Sequence, residues 1–394
     1  MRRPSTAPLQ TLCLLLALAG CASTPPAATP APAEEPDEAG KNDPMLADAG
    51  VAHAVVKEAF LTAATPDDNI DSPTAWTAPD GKVWLIASAK EGAGLVIYDG
   101  DSGATLRSVG RKGKAPGEFD RANGVFVQDL PAQAKDGTRA LLFVVERDNR
   151  RVQVLALPSL RTLGSFGEGE LEQPYGIWVR PLDGGDGYQA FVTDAYMAGE
   201  DAQGEDIVPP LAQLDRRVRR YRIALEGGAL EATADGAFGD TTADGAIRVP
   251  ESVWGDPAND RLLVAEEDVP AGTAVREYDI AGRFKGRTLG LGLFEAQAEG
   301  LALWQCPDGS GYWIATDQFK DRSLFHLFDR RTLAHVGAFA GETVGNTDGV
   351  WLRQSASARF PAGVFYAVHD DQAVGAFDWR DVAKALDLPA TCKP

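Results

Sequence analysis

Apolar positions recur along the chain in short runs that share one layout, repeated six times. Each copy has a polar residue, a short apolar strand, a Gly or Asp turn, a strongly apolar second strand that ends in a polar residue, and a third strand. The first strands are predicted to begin near Trp76, Val125, Ile177, Val253, Leu301 and Val350. β-Branched and aromatic residues bounded by such turns are typical of buried strands.

The spacing of these repeats predicts the fold. Successive first strands begin about 49, 52, 76, 48 and 49 residues apart, which is the period of a four-stranded propeller blade. The long third interval contains an acidic insertion near residues 198–214, which we expect to be a surface loop. A short amphipathic helix is predicted at residues 379–386. Because no βαβ alternation occurs, the pattern indicates an all-β, six-bladed β-propeller with a short C-terminal helix.

Polar side chains stand at both ends of this repeated unit. In a propeller blade the second strand ends beside the start of the first, so residues at the two places are expected to meet at one mouth of the central channel. Before the first strands stand Asp71, Asn123, Tyr175, Glu251, Glu299 and Asp348. After the second strands stand Lys90, Arg147, Asp194, Glu266, Asp317 and Asp370. Carboxylates therefore dominate the later blades, while the earlier blades supply a lysine, an arginine and a tyrosine.

So many carboxylates in one funnel would repel each other unless their pKa values were raised or cations were bound. Calcium takes six to eight oxygen ligands, so the mouth is a candidate calcium site with a neighbouring anion-binding side. Asp and Asn at strand ends can also cap backbone N–H groups and do nothing more. Glutamate at three of the positions favours the convergent site over that structural role.

Charge and the first residues bear on partners and compartment. The chain has 57 acidic and 38 basic side chains and a net charge of −19, which disfavours nucleic acid as a partner. Arg2 and Arg3 precede an apolar stretch too short to span a bilayer, and residues 18–21 read as a lipobox ending in Cys21. We therefore expect an exported, monomeric lipoprotein of the outer membrane, held to the membrane by its lipid anchor alone.

The sequence divides into three predicted regions. Residues 1–20 form a lipoprotein signal peptide, residues 21–60 a disordered tether rich in Ala, Pro and acidic residues, and residues 61–394 the propeller. Cys306 and Cys392 remain once the leader is removed and the lipid is attached. An oxidising compartment would preserve a disulfide between them, but spacing alone leaves their pairing open.

Several motifs resemble the β-propeller phytase family in order and spacing, over about residues 65–390. Asp71-Ser72-Pro73-Thr74-Ala75-Trp76 is similar to the family's Asp-Asp-Pro-Ala-Ile-Trp, and Ala265-Glu266-Glu267-Asp268 is identical to its Ala-Glu-Glu-Asp. The other similar segments are Lys90-Glu91, Gly94 to Tyr98, Tyr175-Gly176, Glu299-Gly300-Leu301, Gly311 to Ala315 and Thr347 to Val350.

The resemblance implies a calcium-dependent phosphomonoesterase that releases phosphate from phytate, myo-inositol hexakisphosphate, by a metal-activated water. The implied calcium ligands are Asp71, Glu251, Glu266, Glu299 and Asp348. The implied phosphate-binding residues are Lys90, Arg147 and Tyr175. Glu266, Glu251 and Tyr175 are the expected catalytic residues.

Four departures from the family pattern bear on this expectation. Ser72 replaces an aspartate, Glu91 replaces a lysine, Asp194-Ala195 replaces Lys-Glu, and Gln297 replaces an aspartate. These changes remove positive charge from the side of the mouth expected to bind phosphate, and they remove at least two cation ligands. Three outcomes therefore stay open: weaker phytate binding, a different phosphorylated substrate, and loss of activity.

Two alternative functions stay open. Residues 110–119 and 167–176 are similar to NHL-type linkers between blades, and such propellers are often ligand- or protein-binding modules without catalysis. The second alternative is a propeller lactonase that uses one metal ion.

Overall fold

The computed structural model describes residue 1 and residues 44–392, apart from residues 186, 205 and 227. The predicted signal peptide, the lipidation site Cys21 and the first half of the predicted tether lie outside the described residues. The description below concerns the unit that contains residues 44–392.

Six β-sheets follow one another along the chain as blades, five of them four-stranded and one five-stranded. Two short strands precede them, β1 (Ala54–Val55) and β2 (Phe60–Leu61). Blades 1 to 3 contain β3 (Ile70–Thr77), β4 (Val83–Ala89), β5 (Gly94–Asp99), β6 (Thr105–Val109), β7 (Ala122–Asp129), β8 (Ala140–Glu146), β9 (Arg151–Leu157), β10 (Arg161–Phe166), β11 (Pro174–Pro181), β12 (Tyr188–Asp194), β13 (Val218–Glu226) and β14 (Ala229–Phe238). Blades 4 to 6 contain β15 (Pro250–Asp256), β16 (Arg261–Glu266), β17 (Ala274–Tyr278), β18 (Phe284–Leu289), β19 (Ala298–Gln305), β20 (Gly311–Asp317), β21 (Leu324–Asp329), β22 (His335–Ala340), β23 (Val350–Arg353), β24 (Val364–His369) and β25 (Ala373–Asp378). The protein is a six-bladed β-propeller, as predicted.

The C-terminal helix is also confirmed. Helix α1 (Trp379–Ala385) begins directly after β25, and the Asp378 carboxylate accepts a hydrogen bond from the backbone N–H of Arg380 at its N-terminus. Trp379 and Val382 are fully buried against blades 5 and 6. Within the described part of the chain, no helix has the length and apolar character needed to cross a membrane.

The ring of blades is closed by residues that the sequence placed in the tether. Strand β2 pairs antiparallel with β25, Phe60 opposite Ala376, and becomes the outer strand of blade 6. Strand β1 pairs parallel with β22 and adds a fifth strand to blade 5. The prediction that the tether extends to residue 60 therefore has to be corrected. Strands of two residues show no periodicity, so the sequence pattern could not reveal them.

A β-bulge recurs near the start of the innermost strand in blades 1 to 5. In β3, for example, the register with β4 shifts between Ile70 and Pro73, and in β15 the register with β16 shifts between Pro250 and Val253. The equivalent shifts occur in β7, β11 and β19. Bulges redirect the side chains of the extra residues. The bulge therefore sets the direction of the polar side chain at the start of the innermost strand in each of these blades.

Aromatic side chains close the central channel below that mouth. The rings of Phe126, Trp254 and Trp351 contact one another, with centroids 5.3–5.6 Å apart. Each lies three residues further along its strand than a mouth residue, which corresponds to about 10 Å. A cavity of about 40 Å³ separates this aromatic floor from the mouth.

The two cysteines left open by the sequence form a disulfide. Cys306 follows β19 and Cys392 follows α1, and their Cα atoms lie 5.5 Å apart. The bond ties the end of the chain to blade 5 across a sequence separation of 86 residues.

We expect Cys392→Ser to lower the free energy of unfolding by about 2–4 kcal/mol, because the disulfide restricts a long loop of the unfolded chain. Urea denaturation with and without a reductant measures the change. A reductant should produce the same loss in the unsubstituted protein and no further loss in the variant. An unchanged denaturation midpoint would contradict the expectation.

Candidate functional site

Equivalent positions in the six blades place polar side chains around the mouth. The set comprises Asp71, Asn123, Tyr175, Glu251, Glu299 and Asp348. In all six blades each is followed by Gly or Ser, and a Cβ at Gly176 would lie only 2.6 Å from the Glu251 carbonyl oxygen of the next blade. Small residues thus let neighbouring innermost strands approach closely, and this approach brings the six side chains together. We call this set the inner ring.

Lys90 connects three blades at the mouth. It follows β4 and is buried, and its Nζ lies 3.4 Å from Asp71 Oδ1 and 3.4 Å from Asp348 Oδ2. The same Nζ lies 5.8 Å from the centroid of the Tyr175 ring in blade 3. These distances bring together four of the residues singled out by sequence. Lys90 acts as an internal counter-ion for two inner-ring carboxylates.

The other half of the mouth is rich in buried glutamate. Glu251, Glu267 and Glu299 are all at least nine-tenths buried. Burial raises the pKa of Glu251 well above its usual range, and the charges of Glu299, Glu267 and Asp71 raise it further, while Lys90 opposes them. This half of the mouth therefore favours a bound proton or a bound cation.

Two amide side chains hydrogen bond to carboxylates of the mouth. Gln297 Nε2 donates to Glu267 Oε1 at 2.6 Å, and Gln318 Nε2 donates to Asp348 Oδ1 at 2.5 Å. Each amide holds its carboxylate in one orientation without neutralising it. Gln297 stands where the family resemblance expects an aspartate, so this substitution exchanges a charge for a positioning contact.

The structure turns Glu266 away from the mouth, so its expected metal-binding and catalytic roles lose their geometric support. Its fully buried carboxylate accepts hydrogen bonds from the backbone N–H groups of Arg248 at 2.7 Å, Val249 at 2.9 Å and Asp268 at 3.2 Å. Asp194 and Asp317 accept two backbone N–H groups each at the equivalent positions of blades 3 and 5. These contacts are those of a structural cap repeated from blade to blade.

Glu267 is the residue that sequence reasoning missed. Side chains alternate along a strand, so the residue after the cap faces the mouth, as Lys90 does after Ala89. The signal was present in the sequence: the acidic cap recurs in blades 2 to 5, whereas the next position changes from Arg147 to Ala195, Glu267 and Gln318. An acidic residue that recurs at one position in successive blades has a structural role common to those blades. A position whose residue type changes from blade to blade is available for binding or catalysis.

We expect Glu266→Ala to lower the free energy of unfolding by about 3 kcal/mol, because three partly buried N–H groups lose their acceptor. Glu267→Gln is the matched control and should change it by less than about 1 kcal/mol, since its amide oxygen still accepts from Gln297. Chemical denaturation followed by circular dichroism distinguishes the two variants. Equal losses would contradict the structural assignment of Glu266.

The expected phosphate-binding residues divide into two groups. Lys90 and Tyr175 lie together over the mouth. Arg147 follows β8, its side chain is 25% exposed, and its guanidinium lies 4.0 Å from Asp148. Asp370, after β24, accepts a hydrogen bond from Gln372 Nε2 at 2.6 Å. Arg147 is therefore a rim residue that can reach a ligand only from outside the lysine cluster.

The donor set of the mouth suits a hard divalent cation. Glu251, Glu267 and Glu299 offer anionic oxygens, and burial with mutual repulsion makes a positive charge favourable among them. Among the described residues, no group of three or more His, Cys, Asp and Glu side chains is already close enough to hold a metal ion. The glutamate side chains would therefore have to turn toward a shared ion on binding.

Comparison with known proteins gives a likeness of fold. No family model matches the chain, and no curated protein matches it. Hydrazine synthase of Kuenenia stuttgartiensis aligns at 15% identity over 77% of this chain and 75% of that chain, with a TM-score of 0.43. A nidogen/laminin complex aligns at 14% identity over 70% of this chain and 81% of that chain, with a TM-score of 0.40. Neither match bears on function.

Proposed function

We propose that the protein is a calcium-dependent phosphomonoesterase whose active site is the mouth of the propeller. The observation that carries the proposal is the pairing of two unlike halves: buried Glu251, Glu267 and Glu299 on one side, and Lys90 with Tyr175 on the other. The first half attracts a cation, and the second offers an ammonium and a phenol to an anion. Phosphate monoesters are the substrate class that needs both, and the family resemblance points to phytate.

In this proposal Glu251, Glu267 and Glu299 would hold a calcium ion at the mouth. Bound calcium would lower the pKa of a water and neutralise phosphoryl oxygens. Lys90 and Tyr175 orient the phosphoryl group with charge-assisted and neutral hydrogen bonds. The water oxygen bonds to phosphorus as the ester P–O bond breaks, and the proton that the water loses is taken up by the leaving alkoxide, which departs as the alcohol. The buried position of Glu251 and Lys90 limits competing water around these groups.

The compartment belongs to the same proposal. A disulfide between Cys306 and Cys392 persists in an oxidising environment, which supports export. Lipidation at Cys21 would then hold the enzyme at the outer membrane and present the mouth to solutes outside the cytoplasm. Metabolic labelling with a radioactive fatty acid, lost in Cys21→Ser, tests the anchor.

Phosphate release tests the catalytic proposal directly. We expect the protein to release phosphate from phytate or a simpler monoester when calcium is titrated in, and EGTA to abolish the release. Glu231→Gln, an exposed change on β14, is the matched control and should keep full activity. No release from any monoester at any calcium concentration would reject the proposal.

A ligand-binding propeller without catalysis is the second candidate function. The contacts of Lys90 with Asp71 and Asp348 favour it, because an internal ammonium already neutralises two expected cation ligands. That function is supported if calorimetry detects binding of a phosphate ester while no phosphate is released.

A further inference from the structure

Asn123 stands out among the inner-ring residues. It lies in the bulge of β7 and is fully buried. Within the described part of the chain, neither its Oδ1 nor its Nδ2 meets a hydrogen-bond partner. A buried amide with both groups unsatisfied is costly, so such a group in a folded protein requires an explanation. A ligand that accepts from Nδ2 and donates to Oδ1 would supply one.

The neighbours of Asn123 show which part of a ligand it would meet. Strand β7 packs between β3 and β11, so Asn123 lies between Asp71 and Tyr175 in the inner ring. Lys90 Nζ contacts Asp71 and lies over the Tyr175 ring. The ammonium is therefore close to the part of the inner ring that contains Asn123. The proposed phosphate position and the unsatisfied amide are therefore adjacent.

The hydrogen-bonding groups of the Asn123 amide are complementary to those of a hydroxyl group. A carboxamide presents one acceptor and two donors, and a hydroxyl is the small neutral group that can both donate and accept. A phosphate oxygen could use the amide N–H but would leave Oδ1 without a donor. The geometry suits a hydroxyl carried next to the esterified position of the substrate.

The charge of the mouth limits how many phosphates the ligand carries. One ammonium, Lys90, faces five carboxylates: Asp71, Glu251, Glu267, Glu299 and Asp348. Arg147 and Arg121 add positive charge further out, where their guanidinium groups lie 4.0 Å from Asp148 and 3.8 Å from Glu91. A single divalent cation would leave the mouth acidic, so each additional phosphate group would be repelled. A hexakisphosphate is the least suited member of the substrate class.

We infer that the mouth recognises a polyol that carries few phosphate groups, and that Asn123 hydrogen bonds to a free hydroxyl beside the phosphate ester. The inference rests on the proposed phosphatase function and narrows its substrate class from phytate to polyol monophosphates. Asn123 is then a specificity residue.

A matched substrate pair tests the inference. myo-Inositol monophosphate and cyclohexyl phosphate share a six-membered ring and differ in the ring hydroxyls. We expect kcat/KM to be about tenfold or more higher for the inositol ester, and phytate to be the poorest of the three, because one hydroxyl contact is worth about that factor. A ratio near one, or phytate as the best substrate, overturns the inference while the phosphatase function stands.

Asn123→Leu removes the amide at similar volume. We expect the ratio of inositol to cyclohexyl ester to fall toward one and the thermal midpoint of the ligand-free protein to rise, because an unsatisfied buried amide is removed. Tyr221→Phe is the control, since Tyr221 Oη is also buried without a hydrogen-bond partner among the described residues but lies in β13, the third strand of blade 3. An unchanged ratio in Asn123→Leu overturns the inference.

Binding separates the inference from the proposed reaction. If none of the three esters is hydrolysed, the phosphatase function fails, and titration calorimetry of the same esters still tests recognition. An affinity about tenfold higher for the inositol ester, lost in Asn123→Leu, supports the role of Asn123. Equal affinities overturn it.

Discussion

Glu251→Gln is expected to make the protein more stable and inactive at the same time. Burial and the charges of Glu299, Glu267 and Asp71 raise the pKa of Glu251. The ionised form of Glu251 therefore destabilises the folded protein relative to the protonated form. Glutamine removes that charge at nearly constant volume. The free energy of unfolding at pH 8 should therefore rise, because the variant carries no charge at this buried position. Phosphate release should fall by at least about a hundredfold, since an expected cation ligand is lost.

The pH dependence of this effect has a definite sign. The folded protein binds the Glu251 proton more tightly than the unfolded chain does, because the folded pKa is the higher one. The contribution of Glu251 to stability is therefore fully present at acidic pH and is lost as the pH rises through the raised pKa. Unfolding curves of Glu251→Gln and the unsubstituted protein should coincide in acid and separate at alkaline pH. Glu231→Gln should follow the unsubstituted protein throughout, and a destabilised Glu251→Gln would contradict the assignment.

Lys90→Met should destabilise the protein in a chelator and be rescued by calcium. The change leaves buried Asp71 and partly buried Asp348 without the ammonium that lies 3.4 Å from both. Removing one partner of a buried ion pair costs about 3–5 kcal/mol. The two carboxylates would then bind a cation more tightly. Calcium at a hundred times its Kd would raise the free energy of unfolding by about 2.7 kcal/mol.

Thermal unfolding in EDTA and in millimolar calcium measures both effects. Lys57→Met is the control, because Lys57 pairs with Glu342 at 3.8 Å on the exposed surface and should contribute less than about 1 kcal/mol. A Lys90→Met midpoint that does not respond to calcium would show that Asp71 and Asp348 are structural carboxylates and not cation ligands.

The blade period could be predicted from sequence because each innermost and second strand carries a strong apolar run with a polar end. The same reasoning located the inner ring, since Asp71, Tyr175 and Asp348 fall at one point of the repeat and do meet around Lys90. The sequence pointed to Glu266, whereas the structure binds the Glu266 carboxylate to backbone N–H groups and Glu267 to Gln297. Neighbouring residues face opposite ways at a strand end, and only the backbone contacts of Glu266 show which of the two faces inward.

Other parts of the structure lay beyond sequence reasoning for physical reasons. The pairing of Cys306 with Cys392 depends on how the C-terminal residues return to blade 5, a distance that no local pattern encodes. The unsatisfied state of Asn123 is likewise a property of its surroundings, because an amide in a bulge looks the same in sequence whether or not a neighbour bonds to it.

The contact of Phe126, Trp254 and Trp351 makes the central channel a blind pocket. A molecule that enters the mouth has to leave by the same opening, so a product cannot be displaced through the far side by the next arrival. Inorganic phosphate and incoming ester would then compete for one path. Such an enzyme would work fastest where phosphate is scarce, and its output would decline as phosphate accumulates around it.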